Sequence, residues 1–197
     1  MLRNETLPRL GVGDFIPQAA VIDQLGRPTM FHTQDNAGHR LVLFLCRSAQ
    51  TPALAGELAG FRDLAAQFAE IGVKLFAVSA EPTAANGATA ASQALPFPVL
   101  SDSAGVLLPH FAAPADGSGA TVIADANLQI VAIIDARGAA SQAQRALELC
   151  QAATETDLPA AAERHAPVLV VPRIFDPLFC HRLIEVWRRG EKRENET

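Results

Sequence analysis

The sequence has few cysteines, and no two of them are closely spaced. Cys46, Cys150 and Cys180 are the three cysteines among 197 residues, and no CxxC motif is present. A sparse, odd-numbered set argues against a disulfide framework and fits a reducing compartment better. Long apolar runs are also missing, since none approaches the roughly 20 residues of a membrane helix. We therefore expect no membrane partner.

Signals for targeting, for nucleic-acid binding and for metal binding are scarce as well. The first 14 residues contain no apolar segment typical of a signal peptide, so the cytoplasm is the default location. Lys and Arg number 16 against 21 Asp and Glu, and this net charge of −5 argues against nucleic acid as a partner. The five histidines show no metal-ligand spacing. No metal and no cofactor is predicted.

Apolar residues, by contrast, make up 49% of the chain, enough for a core without disulfides. Strand-like and helix-like segments alternate through residues 1–153. The predicted strands are 18–22, 28–31, 41–46, 73–79, 98–100, 120–124 and 130–134, and the predicted helices are 52–71, 82–95, 104–111 and 139–153.

This order of elements predicts an α/β, thioredoxin-like fold with a mixed central sheet flanked by helices. Strand–helix alternation alone would also fit a small flavodoxin-like sheet, but the late hairpin at 120–134 favours the thioredoxin-like arrangement. The continuous apolar run at 41–46 predicts a central strand covered on both faces. Residues 154–165 are polar and are interpreted as a linker, followed by a short strand–helix appendage at 166–197.

The corner between strand 41–46 and helix 52–71 is the place where α/β proteins usually hold their chemistry. Its sequence, QTPALAGELAGF at 50–61, contains no Ser, no Cys and no glycine-rich phosphate loop. Thr51 is a plausible N-cap with Pro52 at the first helical position. An alternative role for Thr51 is to orient a ligand through its hydroxyl.

Four segments along residues 11–153 have the order and spacing of a known family. They are GVGDFIPQAAVIDQLGRP, LVLFLCRSAQTPALAGELAGFRDLAAQFAEIGVKLFAVSAEP, LPFPVLSDSAGVLLPHF and ATVIADANLQI. Together they resemble the peroxiredoxins of the alkyl hydroperoxide reductase C/thiol-specific antioxidant class. The resemblance implies a redoxin domain of thioredoxin fold, an antioxidant thiol peroxidase (oxidoreductase) ancestry, and a homodimer as an expected partner.

The family motif Pro-x-x-x-Thr-x-x-Cys, with a distant Arg, falls on different residues here. The resemblance places the Thr at Thr51, but the Cys at Leu54, the Pro at Arg47 and the Arg at Gly119. Leucine has no thiolate with which to attack a peroxide. Glycine supplies no charge where the leaving oxygen becomes negative. The sequence therefore predicts a degenerate peroxidatic site.

Two hypotheses of function remain open at this point. The first is a pseudoenzyme, a non-catalytic binding or interaction module. The second is a thiol-dependent peroxidase that uses Cys46, the one thiol near the corner, with Arg47 beside it to favour the thiolate and with Thr51 as its partner. Against the second hypothesis, a cysteine that ends an apolar strand is more often a small buried hydrophobe, and burial raises its pKa.

The segment HAPVLVVPRIFDPLFCHRLIEVWRRG resembles the opening strand and helix of prolyl-4-hydroxylase-like 2-oxoglutarate/iron oxygenases. In that family the opening precedes a double-stranded β-helix with a His-x-Asp…His iron triad, and no such triad can be placed here. The resemblance implies that the chain is a piece of a longer oxygenase-type protein. A downstream oxygenase domain or a partner chain is then expected to cover the amphipathic helix at 176–189. The alternative is that this strand and helix pack on the redoxin domain itself.

Overall fold

The computed structural model describes residues 9–48, 52–111, 119–135, 141–156 and 177–189. The chain divides into two units, Met1–Leu158 and Pro159–Thr197. In the first unit the strands are β1 (Val21–Ile22), β2 (Pro28–Thr29), β3 (Arg40–Cys46), β4 (Val73–Ser79), β5 (Val99–Ser101), β6 (Ala120–Ala124) and β7 (Ile130–Asp135), and the helices are α1 (Pro52–Glu70), α2 (Thr83–Ser92) and α3 (Gln142–Thr156). Helix α4 (Pro177–Arg189) is the described element of the second unit.

The strands of the described residues form one mixed sheet in the order β2-β1-β5-β4-β3-β6-β7. Strands β3, β4 and β5 are parallel to one another. Strand β6 pairs antiparallel with β3 and with β7, and the β1–β2 hairpin joins the other edge. The antiparallel strands on both sides of the parallel trio confirm the thioredoxin-like arrangement and exclude the flavodoxin-like alternative.

Strand β3 lies between two apolar clusters, as its unbroken hydrophobic run predicted. Because successive side chains point to opposite faces, Val42, Phe44 and Cys46 join the cluster under α1 and α3, whereas Leu41 and Leu43 join the cluster on the other face. Every residue of β3 after Arg40 is buried. The C-terminal end of this strand, where the candidate site lies, is therefore anchored on both faces.

Helix α1 buries the apolar residues that recur along it at helical spacing. Leu54, Leu58, Phe61 and Phe68 are at most 2% exposed, so one stripe of the helix faces the sheet. The helix gives way to a turn at Gly72, whose φ of +72° is a conformation that glycine adopts without strain. Since Leu54 lies in the first turn, the start of the helix belongs to the core.

The helix predicted at 104–111 is wrong, because only a 3-10 turn at Leu108–His110 forms there. The buried carboxylate of Asp102 accepts hydrogen bonds from the backbone N–H groups of Val106, Leu107 and Leu108, at 2.7–3.0 Å. These N–H groups therefore point at a side chain and not along a helix axis, because short acidic side chains compete with regular backbone bonding.

The predicted boundary between residues 153 and 154 falls inside α3, which continues to Thr156. The Thr154 hydroxyl donates to the carbonyl of Cys150 at 2.8 Å. The Arg40 guanidinium donates to the same carbonyl at 3.2 Å and so ties the start of β3 to the C-terminal half of α3. The remaining predicted linker residues from 157 and the predicted strand 167–171 lie outside the described residues.

Helix α4 confirms the helix predicted at 176–189 from Pro177 onwards and exposes most of its apolar side chains. Its arginines are Arg182, Arg188 and Arg189, and Arg189 pairs with Glu185 at 3.2 Å. The exposed apolar residues are Leu178, Phe179, Leu183, Ile184, Val186 and Trp187. None of the helices in the described part of the chain is long and apolar enough to cross a membrane.

Candidate functional site

The C-terminal ends of three parallel strands meet at the candidate corner. Cys46 of β3 pairs with Ser79 of β4, which in turn pairs with Ser101 of β5. In parallel sheets this edge is where binding and catalytic side chains converge. The environment of the residues at this edge decides what they can do.

Cys46 is enclosed by hydrocarbon. It is 4% exposed and lies in the same apolar cluster as Leu54 and Phe44. Burial, together with the nearby charge of Glu81, raises the pKa of the Cys46 thiol to about 12. Arg47 is exposed. The charge that acts on the thiol is thus an acidic one, and the expectation that Arg47 would favour a thiolate is not met.

Leu54 fills the position that the resemblance assigns to the peroxidatic cysteine. It is 2% exposed and packs in the first turn of α1 against the cluster that contains Cys46. A working peroxidatic position must present a thiolate to solvent-borne peroxide. Here the position presents no ionisable group and is closed to water.

Gly119, the position that the resemblance assigns to the arginine, is buried with no space for a side chain. A Cβ atom added there would lie 2.8 Å from the carbonyl oxygen of Leu45 and 2.9 Å from the ring of Phe44. Contacts this short require the surroundings to shift. The Phe44 ring thus occupies the space beside the backbone from which a cationic side chain would have to start.

A polar network ties this side of the corner to α3. The Thr121 hydroxyl donates to Gln142 Oε1 at 2.8 Å, and Gln142 Nε2 donates to the Gly119 carbonyl at 3.3 Å. The Glu57 carboxylate accepts hydrogen bonds from the Gln142 N–H at 3.1 Å and the Ser141 hydroxyl at 3.3 Å. Glu57 therefore stabilises the start of α3, where unpaired N–H groups favour an acidic neighbour.

A second network on the other side of Cys46 was missed by the sequence reasoning. The Ser79 hydroxyl donates to Asn86 Oδ1 at 2.7 Å, and the Ser101 hydroxyl donates to the Glu81 carbonyl at 2.7 Å. The Glu81 N–H donates back to Ser79 Oγ at 3.1 Å. These bonds hold Glu81 near Cys46. The signal available in the sequence was the run SAEP, which begins at Ser79, the last residue of β4.

Two further expectations concern this region. Thr51, proposed as an N-cap or as an orienting hydroxyl, lies outside the described residues. Among the residues that the structure describes, no group of three or more His, Cys, Asp and Glu side chains could hold a metal ion.

The raised thiol pKa predicts how stability depends on pH. The pKa of the Cys46 thiol rises from 9.0 to about 12 on folding. Below pH 9 both states keep the proton, so the thiol adds no pH dependence. Between pH 9 and 12 only the unfolded chain loses it, so the free energy of unfolding should fall by up to about 1.4 kcal/mol per pH unit. Urea unfolding of wild type and Cys46→Ser at pH 8, 9.5 and 10.5 measures this slope. Equal slopes in both proteins would mean that Cys46 ionises in the folded state.

Comparison with known sequences shows the family of the chain. The sequence profile of the AhpC/TSA family matches residues 12–142. The chain belongs to this family. Two relatives, from two Mycobacterium tuberculosis strains and named as candidate peroxiredoxins, are each 31% identical over 99 residues, which is 50% of this chain. The chain spans 64% of the length of these relatives.

Solved structures agree on the fold. Peroxidoxin BcpB from Mycobacterium tuberculosis superposes with a TM-score of 0.65 at 24% identity, covering 73% of this chain and 98% of its own. A mutant of Xylella fastidiosa PrxQ gives a TM-score of 0.67 at 20% identity, covering 74% and 98%. Residues 12–142 of this AhpC/TSA chain thus lie within a thioredoxin-like peroxiredoxin fold.

Proposed function

We propose that this redoxin domain is a pseudoenzyme, a non-catalytic binding or interaction module whose peroxidatic corner is degenerate. The observation that supports it most is Leu54, an apolar side chain 2% exposed at the position assigned to the nucleophile. Gly119 supports it independently, since the backbone there has no space for a side chain. Both changes work against peroxide reduction. Leucine at position 54 removes the nucleophile, and the closed space at Gly119 removes the charge stabilisation of the leaving oxygen.

The alternative function is a thiol-dependent peroxidase that uses Cys46. It is supported by the position of Cys46, which lies in the same cluster as Leu54 and hence at the corner itself. It is opposed by the pKa of about 12, at which only about one thiol in 10⁵ is ionised at pH 7. Such a thiol would need the corner to open before it could react.

Sulfenic-acid trapping distinguishes the two functions. The folded chain is exposed to low hydrogen peroxide with a trapping reagent present, and labelled peptides are identified by mass spectrometry. Cys150→Ser is the matched control for Cys46→Ser, since Cys150 is also fully buried. We expect no trapping at Cys46 faster than at a free cysteine. Rapid labelling at Cys46, lost in Cys46→Ser and kept in Cys150→Ser, would establish the peroxidase and end the pseudoenzyme proposal.

The partner of the module is proposed to be an oxygenase domain or chain. Residues 166–190 resemble the opening of 2-oxoglutarate/iron oxygenases, and α4 exposes apolar side chains that a partner would cover. A coding sequence that continues past residue 197 into a His-x-Asp…His region would support this, and an unrelated continuation would remove it. The homodimer and the cytoplasmic location stay predictions.

A further inference from the structure

Helix α4 has an apolar face and a polar face. At 3.6 residues per turn, five of its exposed apolar side chains fall within an arc of roughly 160°. They are 41–70% exposed and comprise Phe179, Leu183, Ile184, Val186 and Trp187. The remaining exposed apolar residue, Leu178, projects on the polar side of the helix. Exposed apolar surface of this extent on one helix face is typical of a binding surface.

Basic side chains border the apolar face on both sides. Arg182 lies along one border and Arg188 along the other, each one turn of helix away from an apolar residue of that face. The single acidic residue of α4, Glu185, lies in the middle of the polar face and pairs there with Arg189 at 3.2 Å. Any surface that covers the apolar face therefore meets positive charge at both of its edges.

This arrangement of charge disfavours a second copy of α4 as the cover. In a parallel pair of helices, one border of each helix faces the opposite border of its partner, and in an antiparallel pair each border faces itself. Both pairings bring basic side chains together, and Glu185 lies too far round the helix to compensate. Like charges at this separation are destabilising. The cover must therefore differ from α4 in charge.

An anionic lipid surface suits the helix but not the rest of the chain. The whole chain has a net charge of −5, to which α4 contributes three arginines and one glutamate. The remainder is therefore more acidic than the chain as a whole. An extended anionic surface would repel this remainder, whereas a groove the width of one helix engages α4 alone.

Docking of a helix into a groove is the recognition mode that fits these observations. We propose, on the basis of the interaction-module function, that α4 docks into an apolar groove of a protein partner whose two edges carry carboxylates. The groove buries the apolar face, and the carboxylates pair with Arg182 on one side and Arg188 on the other. The apolar contacts supply most of the affinity, and the charged edges set the orientation and the choice of partner.

Calcium-loaded calmodulin is a suitable probe, because it is an acidic protein that opens an apolar groove for amphipathic helices. Trp187 is the single tryptophan of the chain and lies on the apolar face. Its fluorescence therefore reports burial of that face when a tryptophan-free calmodulin is titrated into the full chain. We expect a saturable blue shift with a dissociation constant of roughly 1–10 μM, and loss of the shift when EDTA removes calcium.

Matched variants test the apolar face and the charged borders separately. Ile184→Asp should abolish the shift, whereas Leu178→Asp makes the same kind of change on the polar side of α4 and should leave it unchanged. Arg182→Glu and Arg188→Glu should each weaken binding about three- to tenfold. Arg145→Glu changes an exposed arginine of α3 in the same way and should leave binding unchanged.

The absence of a saturable shift, a shift that survives in Ile184→Asp, or equal binding of the three arginine variants would overturn the proposal. Concentration-dependent dimerisation in sedimentation that Ile184→Asp removes would assign the face to a second copy instead. Tighter binding to equimolar phosphatidylcholine–phosphatidylglycerol vesicles than to calmodulin would assign it to a lipid surface. None of these readouts involves Cys46, so failure of docking and failure of the pseudoenzyme proposal are seen in separate measurements.

Discussion

Gly119→Ala should destabilise the protein by about 1–3 kcal/mol, and Gly119→Arg by more. The added Cβ would meet the Leu45 carbonyl oxygen at 2.8 Å and the Phe44 ring at 2.9 Å, so the backbone or the ring must move. Arginine adds the burial of a charge. Chemical unfolding monitored by circular dichroism measures the loss, and Gly119→Arg is expected to leave little folded protein.

Gly56→Ala is the matched control, because Gly56 lies within α1 and a Cβ there would meet nothing within 4 Å. It should stabilise the protein by about 0.5–1 kcal/mol, since alanine is the better helix former. In the Gly119→Ala background, Phe44→Leu replaces the ring with a smaller side chain and should recover part of the lost stability. If Gly119→Ala were as stable as wild type, the corner would have space for a side chain, and the steric argument would fail.

Leu54→Ala should lower the free energy of unfolding by about 2–5 kcal/mol. The side chain is 2% exposed and packs with the cluster between α1 and the sheet, so its removal leaves a cavity that neighbours fill only in part. Leu25→Ala makes the same change at a side chain 70% exposed and should stay within about 0.5 kcal/mol of wild type. Urea unfolding of the three proteins measures the difference.

A small effect of Leu54→Ala, comparable with that of Leu25→Ala, would contradict the closed corner. It would mean that the first turn of α1 is open to water in solution. The position would then be accessible in the way that a peroxidatic residue must be.

The buried core could be predicted because its apolar residues recur at regular spacing along the sequence. The spacing of Leu54, Leu58, Phe61 and Phe68 gave the buried face of α1, and the unbroken apolar run of β3 gave a strand covered on both sides. Patterns of this kind depend on neighbours a few residues away. They failed at 104–111, where the Asp102 side chain takes the N–H groups that a helix would have used.

The environment of the corner could not be predicted, since it depends on residues far apart in the chain. The sequence located Cys46 but could not reveal that Glu81 lies close enough to oppose its ionisation. It assigned Gly119 to the arginine position but could not show the Phe44 ring against it. The backbone conformation of Leu128 was not predicted for a related reason. Its φ of +65° lies in the left-handed region, where turn propensity favours glycine, but its side chain packs in the apolar core.

If the corner retains the fold without the thiol chemistry, Cys46 should not react rapidly with hydrogen peroxide. The most direct test is the second-order rate constant for hydrogen peroxide with the folded chain at pH 7, measured beside Cys46→Ser and free cysteine. We expect a rate no faster than that of free cysteine and unchanged by Cys46→Ser. A rate many-fold above free cysteine that disappears in Cys46→Ser would contradict it and assign the peroxidase to Cys46.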